Sequence, residues 1–293
     1  KEELMEEITF YGLENIGLIE EGDDLVKRIL DTCDDEGLEI KDDDVIVITS
    51  KVVSMYEGRY VDLSDVEPGL RAKAIAKSTG ILPEEVELIL QESEVVASLP
   101  VSKFGKDYIL QQADNEERAK EALEDLPAML VTKRNGRLCT NAGVDRSNSP
   151  EGKATLLPEN PNQSSESIRE RIEEMTGKEV AVIITDSEVS IRAGETDNAI
   201  GSSGINPVES DFGADDLFGK PKFGGVDLKA DEIASAAALH FGQTSEQVPV
   251  VIGRGIDYQK GGRTEKDADM VAKGLREAVL SGIQLDLLKM LPD

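Results

Sequence analysis

The chain has 293 residues, with 60 acids against 32 lysines and arginines and a net charge of -28. So acidic a surface repels nucleic acid and anionic membrane, two cysteines (Cys33 and Cys139) are too few for a disulfide framework, and no apolar run approaches the ~20 residues of a membrane span. These bounds predict a globular protein of a reducing cytoplasm without a secretory leader, its acid excess serving solubility or a salt-loving source.

In chain order, Ile16-Gly17-Leu18-Ile19 precedes the acids Glu20 to Asp24, which suit a helix start. Leu25, Ile29 and Leu30 then fall on one helical face. Val45 to Ile48 reads as a strand buried on both faces. It ends in Thr49-Ser50-Lys51, where hydroxyls and a Lys suit either a phosphate cradle or a plain strand-to-loop turn. Residues 66–80 predict a helix, with Pro68 near its start and Gly80 past its end, and Pro83 opens another. Residues 95–127 are indistinct, apart from an exposed helix over Glu116 to Leu126 and a loop at Lys103 to Lys106. Asn135-Gly136 between two apolar runs predicts a hairpin. It leads into the polar stretch Thr140 to Asn148. Ser164 or Ser165 is the expected cap of a helix that Gly177 ends.

Val180 to Ile184 is a second doubly buried run, and it stops at Thr185-Asp186-Ser187. Open α/β sheets place ligands at such strand ends. Asp186 is therefore either the holder of a divalent metal or the cap of the next element. A Gly- and Ser-rich tract through Gly201-Ser202-Ser203-Gly204 reads as linker or substrate loop. An Ala-rich helix over 231–241 follows, with Gln243 just past its end. Val248 to Ile252 is a further strand, broken at Gly253-Arg254-Gly255, and residues 265–282 form a final helix. The irregular alternation, with a hairpin included, predicts an α+β arrangement on a mixed sheet.

The only histidine is His240, which excludes a Ser-His-Asp triad elsewhere. No P-loop and no kinase glycine loop is present. What remains is a set of oxygen donors, Asp145, Asp186, Ser187 and Gln243, each beside a predicted element end. Mg²⁺ takes one or two carboxylates together with nucleotide phosphates. Lys51, Arg146 and Arg254 are the cations that could help such an acidic chain accept a triphosphate.

Several blocks in order resemble the archaeal coenzyme F420-0:γ-glutamyl ligase family over nearly the whole length. They are IGLIEEGDDL from Ile16, ITSKVVSMYEGR from Ile48, NAGVDRSN from Asn141, VAVIITDS from Val180, DEIASA from Asp231 and VPVVIGRG from Val248. The resemblance implies a mixed-sheet, two-domain F420 ligase-like fold of the α+β class, with residues 1–293 as one catalytic unit of two interleaved subdomains. It implies a homodimer with the site near the subunit interface. The implied reaction is GTP-dependent addition of L-glutamate, through its amine, to a deazaflavin phospholactate by way of an acyl phosphate. By the same likeness Asp145 and Asp186 hold one Mg²⁺ or Mn²⁺, and Ser187 (commonly Thr in the family) and Gln243 reach a second, with K⁺ as a further cation. Ile16, Gly17, Leu18 and Ile19, with Ser50, Lys51 and Asn148, line the GTP site. No side chain acts as nucleophile.

The chain also departs from the family pattern. Met55 stands where a Lys is common, Glu188-Val189-Ser190 replaces a Gly-Arg pair after the acid, and Ala214-Asp215 replaces a basic pair. Residues 98–125 form an insertion. Lys51, Arg192 and Lys220 are left to compensate the lost charge. Two other readings stay open: a related ligase acting on another cofactor precursor, and a non-catalytic nucleotide- or metal-binding paralogue.

Overall fold

The computed structural model describes residues 7–125, 127–190, 194–242 and 246–261. Gln243, Arg192 and the helix expected over 265–282 lie outside them. The chain divides into two compact units, one holding the described residues of Lys1–Val61 and Arg146–Gly262, the other those of Asp62–Asp145.

The first unit opens with β1 (Thr9–Leu13), α1 (Leu25–Asp35), β2 (Val45–Thr49), α2 (Ser50–Tyr56) and β3 (Tyr60–Asp62). Asp24 caps α1 by accepting from the Lys27 amide at 3.0 Å, as the acid run predicts. The second unit holds α3 (Leu70–Thr79), α4 (Pro83–Glu92), β4 (Glu94–Leu99), α5 (Val101–Phe104), α6 (Lys106–Gln112), α7 (Glu116–Asp125), β5 (Met129–Arg134) and β6 (Arg137–Thr140). β5 and β6 form the expected hairpin, with Asn135 and Gly136 both at positive φ as a two-residue turn of this kind requires. β4 pairs with β5, although its sequence gave no strand signal. The loop expected over residues 103–106 is instead the junction of α5 and α6 at Gly105.

The chain returns to the first unit with β7 (Lys153–Thr155), α8 (Pro161–Thr176), β8 (Ala181–Ser190), β9 (Gly194–Ser203), β10 (Glu209–Ser210), β11 (Val226–Asp227), α9 (Lys229–Phe241) and β12 (Val250–Arg254). Five strands form one sheet in the order β1-β12-β2-β8-β9. β2 and β8 run parallel and the other pairs antiparallel, so the mixed-sheet α+β expectation holds. Apolar side chains cover both faces. Ile46, Ile48, Val182 and Ile184 pack with Leu25, Ile29 and Ile168 on the α1 and α8 side. Val45, Val47, Ala181 and Ile183 pack with Ile233, Ala234 and Ala237 of α9 on the other. Among the described residues no helix is long and apolar enough to cross a membrane.

Four local expectations are corrected. Asn160, not Ser164 or Ser165, caps α8, its side chain accepting from the Gln163 amide at 3.2 Å. Pro161 in the first turn fixes the helix there, and the two serines are buried inside it. β8 does not stop at Ser187 but continues to Ser190, paired with β9. The tract read as linker or substrate loop is, up to Ser203, part of β9. Its Gly201 lies against the Pro161 backbone, where a methyl group would collide with the carbonyl. Finally, β12 runs through Gly253 to Arg254 rather than breaking there, because Gly253 lets the Phe10 ring and Ile256 close over the strand. Gly201→Ala is expected to lower stability by about 1–3 kcal/mol, read as a lower urea midpoint at unchanged slope.

Candidate functional site

At its carboxyl end β2 passes straight into α2, so Ser50 is a helix residue and not part of a loop. The parallel register sets Thr49 beside Thr185. The residue after each of these threonines then meets the other: Ser50 Oγ, at the start of α2, donates to Asp186 Oδ1 at 2.6 Å. Asp186 is thus not a helix cap. It is a strand residue held by a hydroxyl 136 positions away.

Burial pushes the Asp186 carboxyl up to about 7. The Ser50 hydrogen bond draws it down, the carboxylates of Glu188 and Asp197 raise it further, and Lys51 opposes them. Among the described residues, Lys51 is the cation that lowers it, and burial outweighs that effect.

Lys51 ties the neighbouring turn. Its Nζ donates to the Ser147 carbonyl at 3.0 Å. Asn148, the middle of that turn, sits at φ 48°, and Ser149 Oγ lies 2.5 Å from Thr155 Oγ1. Ser50, Lys51, Asn148 and Asp186 are therefore brought together within the first unit. The Ile16 to Ile19 stretch contributes differently than its residues suggest. Ile16 and Ile19 are core side chains in the cluster that includes Ile48 and Val53. Gly17 turns the backbone at φ 73°, and Arg28 Nη1 donates to the Ile16 carbonyl at 3.2 Å. Only Gly17, the exposed Leu18 and main-chain groups of this stretch face solvent.

Successive residues of a strand point to opposite faces, and Ser187 turns away from Asp186. Its Oγ donates to Asp197 Oδ1 at 2.7 Å, across the register pair Ser187 and Asp197. Thr185 Oγ1, on the same side, donates to the Asn198 carbonyl at 3.1 Å. Asp197 is 4% exposed. Sequence reasoning missed it because β9 reads as loop; an acid directly after Gly194-Glu195-Thr196 was the one available signal.

Asp145 belongs to the second unit. It follows a left-handed turn in which Asn141, Ala142 and Gly143 have φ of 50°, 56° and 69°. Two non-glycine residues in that region are costly. The Asn141 side chain accepts from the Leu130 amide at 2.7 Å, and the Ala142 amide donates to Thr132 Oγ1 at 2.9 Å, which holds the turn in place.

Arg254, a candidate to neutralise phosphate, is committed elsewhere. It makes two bonds to Asp44, at 2.8 and 2.7 Å, and one to the Glu39 carbonyl at 2.7 Å. Asp44 precedes β2, whereas Ser50 follows it. A five-residue strand separates them, roughly 17 Å. Arg254 is thus a structural residue at the opposite end of the sheet.

Among the described residues, Ser50, Glu188 and Asp197 offer oxygens near Asp186, and oxygen donors suit a hard divalent ion. Among the described residues, no three Asp, Glu, His or Cys side chains converge to hold an ion by themselves. A cation here would draw on hydroxyls and substrate phosphate as well.

A family model described as F420-0:Gamma-glutamyl ligase matches residues 14–255. The chain is 35% identical over 252 residues to coenzyme F420:L-glutamate ligase of Methanothermobacter thermautotrophicus, covering 86% of this chain and 90% of that one. It is 36% identical over 260 residues to the Archaeoglobus fulgidus protein of the same name, covering 88% and 92%. The Methanosarcina acetivorans protein is 35% identical over 272 residues, covering 90% and 95%. With a parallel strand pair that sets Ser50 against Asp186 and matched blocks on both strands, the chain belongs to the F420-0:gamma-glutamyl ligase family.

Proposed function

We propose that this protein is a GTP-dependent ligase that joins L-glutamate, through its amine, to the carboxyl group of coenzyme F420-0. The observation that carries the reading is the Ser50–Asp186 hydrogen bond. It fixes an acid beside the Lys51-tied turn, where an anionic nucleotide and its cations would be received. Divalent ions, Mg²⁺ or Mn²⁺, would bridge phosphate oxygens and offset the charge that develops on transfer. Asp145, Asp186, Ser187 and Gln243 would hold them, with K⁺ as a further cation. The acceptor carboxylate attacks the γ-phosphorus, releasing GDP and forming an acyl phosphate. The glutamate amine then displaces phosphate, losing its proton as the amide forms. The protein's part is to position reactants, worth roughly 7–11 kcal/mol at best, so no side-chain nucleophile is needed. A cytoplasmic homodimer is the form in which we expect it to work.

A related acceptor is the second reading. It is favoured by Glu188, an added negative charge close enough to Asp186 to disfavour ionisation there.

The assay combines GTP, Mn²⁺, L-glutamate and F420-0. GDP release that requires both glutamate and F420-0, with a product heavier by one glutamyl residue, is expected. GDP release with a different acid in place of F420-0 supports the second reading. Nucleotide binding with no turnover on any acceptor overturns both.

A further inference from the structure

We propose that Asp197 is a positioning residue that accepts the Ser187 hydroxyl hydrogen bond and so turns that oxygen's lone pairs toward a divalent cation. The inference rests on the reading of Ser187 as a ligand. A serine hydroxyl has one proton and two lone pairs. It serves a cation best when its proton is already committed to a hydrogen bond, and Asp197 Oδ1 accepts that bond with the two oxygens 2.7 Å apart. The arrangement is rigid. Ser235 Oγ of α9 donates to the Asp197 carbonyl at 2.8 Å and lies 3.0 Å from Thr196 Oγ1. One turn earlier on α9, Asp231 accepts from the Ala199 amide at 2.7 Å. That bond sits where the β8–β9 register shifts between Ile184 and Thr185. The shift sets Asp197 opposite Ser187, and α9 grips the strand on both sides of it.

Energetics argue against a purely structural role. Asp197 is buried, and among the described residues no Lys or Arg pairs with it. Hydroxyl bonds from Ser187 at 2.7 Å and, longer, from Thr185 at 3.4 Å do not offset the desolvation of a carboxylate. A neutral amide would hold Ser187 at lower cost. A nearby cation gives the charge a purpose, and outer partners of this kind typically change metal affinity ~10–100-fold.

The test is Mn²⁺ affinity of the full chain, read from the electron paramagnetic resonance of free Mn²⁺, with melting curves in chelator. Asp197→Ala is expected to bind Mn²⁺ ~10–100-fold more weakly. Asp197→Asn, which keeps an acceptor oxygen for Ser187, should lose less. Ser187→Ala with Asp197→Ala should lose no more than the worse single variant, because both act on one ligand. Wild-type affinity in both Asp197 variants, with Ser187→Ala weakened, overturns this proposal alone. Wild-type affinity in Ser187→Ala overturns the ligand reading and the proposal with it. Fully additive losses, or a lowered melting temperature with unchanged affinity, assign Asp197 to the scaffold.

Discussion

Asp186→Asn is expected to cut metal-dependent turnover roughly 100-fold or more, while stabilising the metal-free protein at alkaline pH. The sign follows from where the proton sits. In the unfolded chain this carboxyl ionises near 3.8; in the folded protein burial holds it protonated up to about 7. Between those values the native state binds the extra proton, so stability falls as pH rises through the window and is level above it. Each pH unit there corresponds to ~1.4 kcal/mol. For a carboxyl that retains some solvent access, a total of about 2–4 kcal/mol is expected. Asparagine is neutral throughout and can still accept from Ser50, so it escapes that penalty. Melting curves in chelator should show the variant ahead of wild type by a margin that grows from pH 5 to about pH 7 and levels off above it. Divalent cation should erase the margin by stabilising only wild type. Equal turnover in the variant would remove Asp186 from the cation site.

Asp44→Ala carries the largest expected cost to the fold. Asp44 is 1% exposed and takes both bonds of the Arg254 fork, together with the Lys41 amide at 2.8 Å. The guanidinium also lies over the Tyr11 ring. Removing one partner of a buried pair strands the other's charge, at about 3–5 kcal/mol. Arg254 is 21% exposed at its side chain and recovers some hydration, so about 3 kcal/mol is expected. That corresponds to a fall of roughly 6–12 °C in melting temperature. The Ser50–Asp186 end of β2 should be unaffected, so Mn²⁺ affinity should stay at the wild-type value. A shift under about 1 kcal/mol would mean the pair is effectively solvated.

What could be read from the chain depended on whether the signal was local. β2 and the first half of β8 are runs of β-branched residues buried on both faces, and such runs declare themselves. Asn135-Gly136, Gly80 and Gly177 did so too, because a positive φ selects the residue. β9 was illegible for the opposite reason. It is built of Gly, Ser, Thr, Asn and Asp, and its packing relies on a missing side chain at Gly201 and on hydrogen bonds from α8 and α9. β4 is exposed along most of its length, so no alternation marked it. Of the candidate site, Ser50 and Asp186 stood out as polar residues ending apolar runs, and the family likeness gave them roles. Their contact depends on strand order and register, which no spacing within either segment encodes. Asp197 depends additionally on a one-residue slip in a strand that did not read as one. Arg254 was misassigned because a cation in a glycine-rich stretch looks like a phosphate partner until the strand's other end is seen to hold Asp44.

The parallel pairing of β2 with β8 also has a temporal meaning. A nascent chain emerging from the ribosome carries Ser50 early, but must extend beyond Ala181 before that serine has anything to meet. Closing so long a span is entropically dear at the outset, though each doubling of length adds only ~0.6 kcal/mol. Non-local closures of this kind delay assembly. The Ser50–Asp186 contact should therefore trail formation of the β5–β6 hairpin, and translation products truncated before Ala181 should lack it.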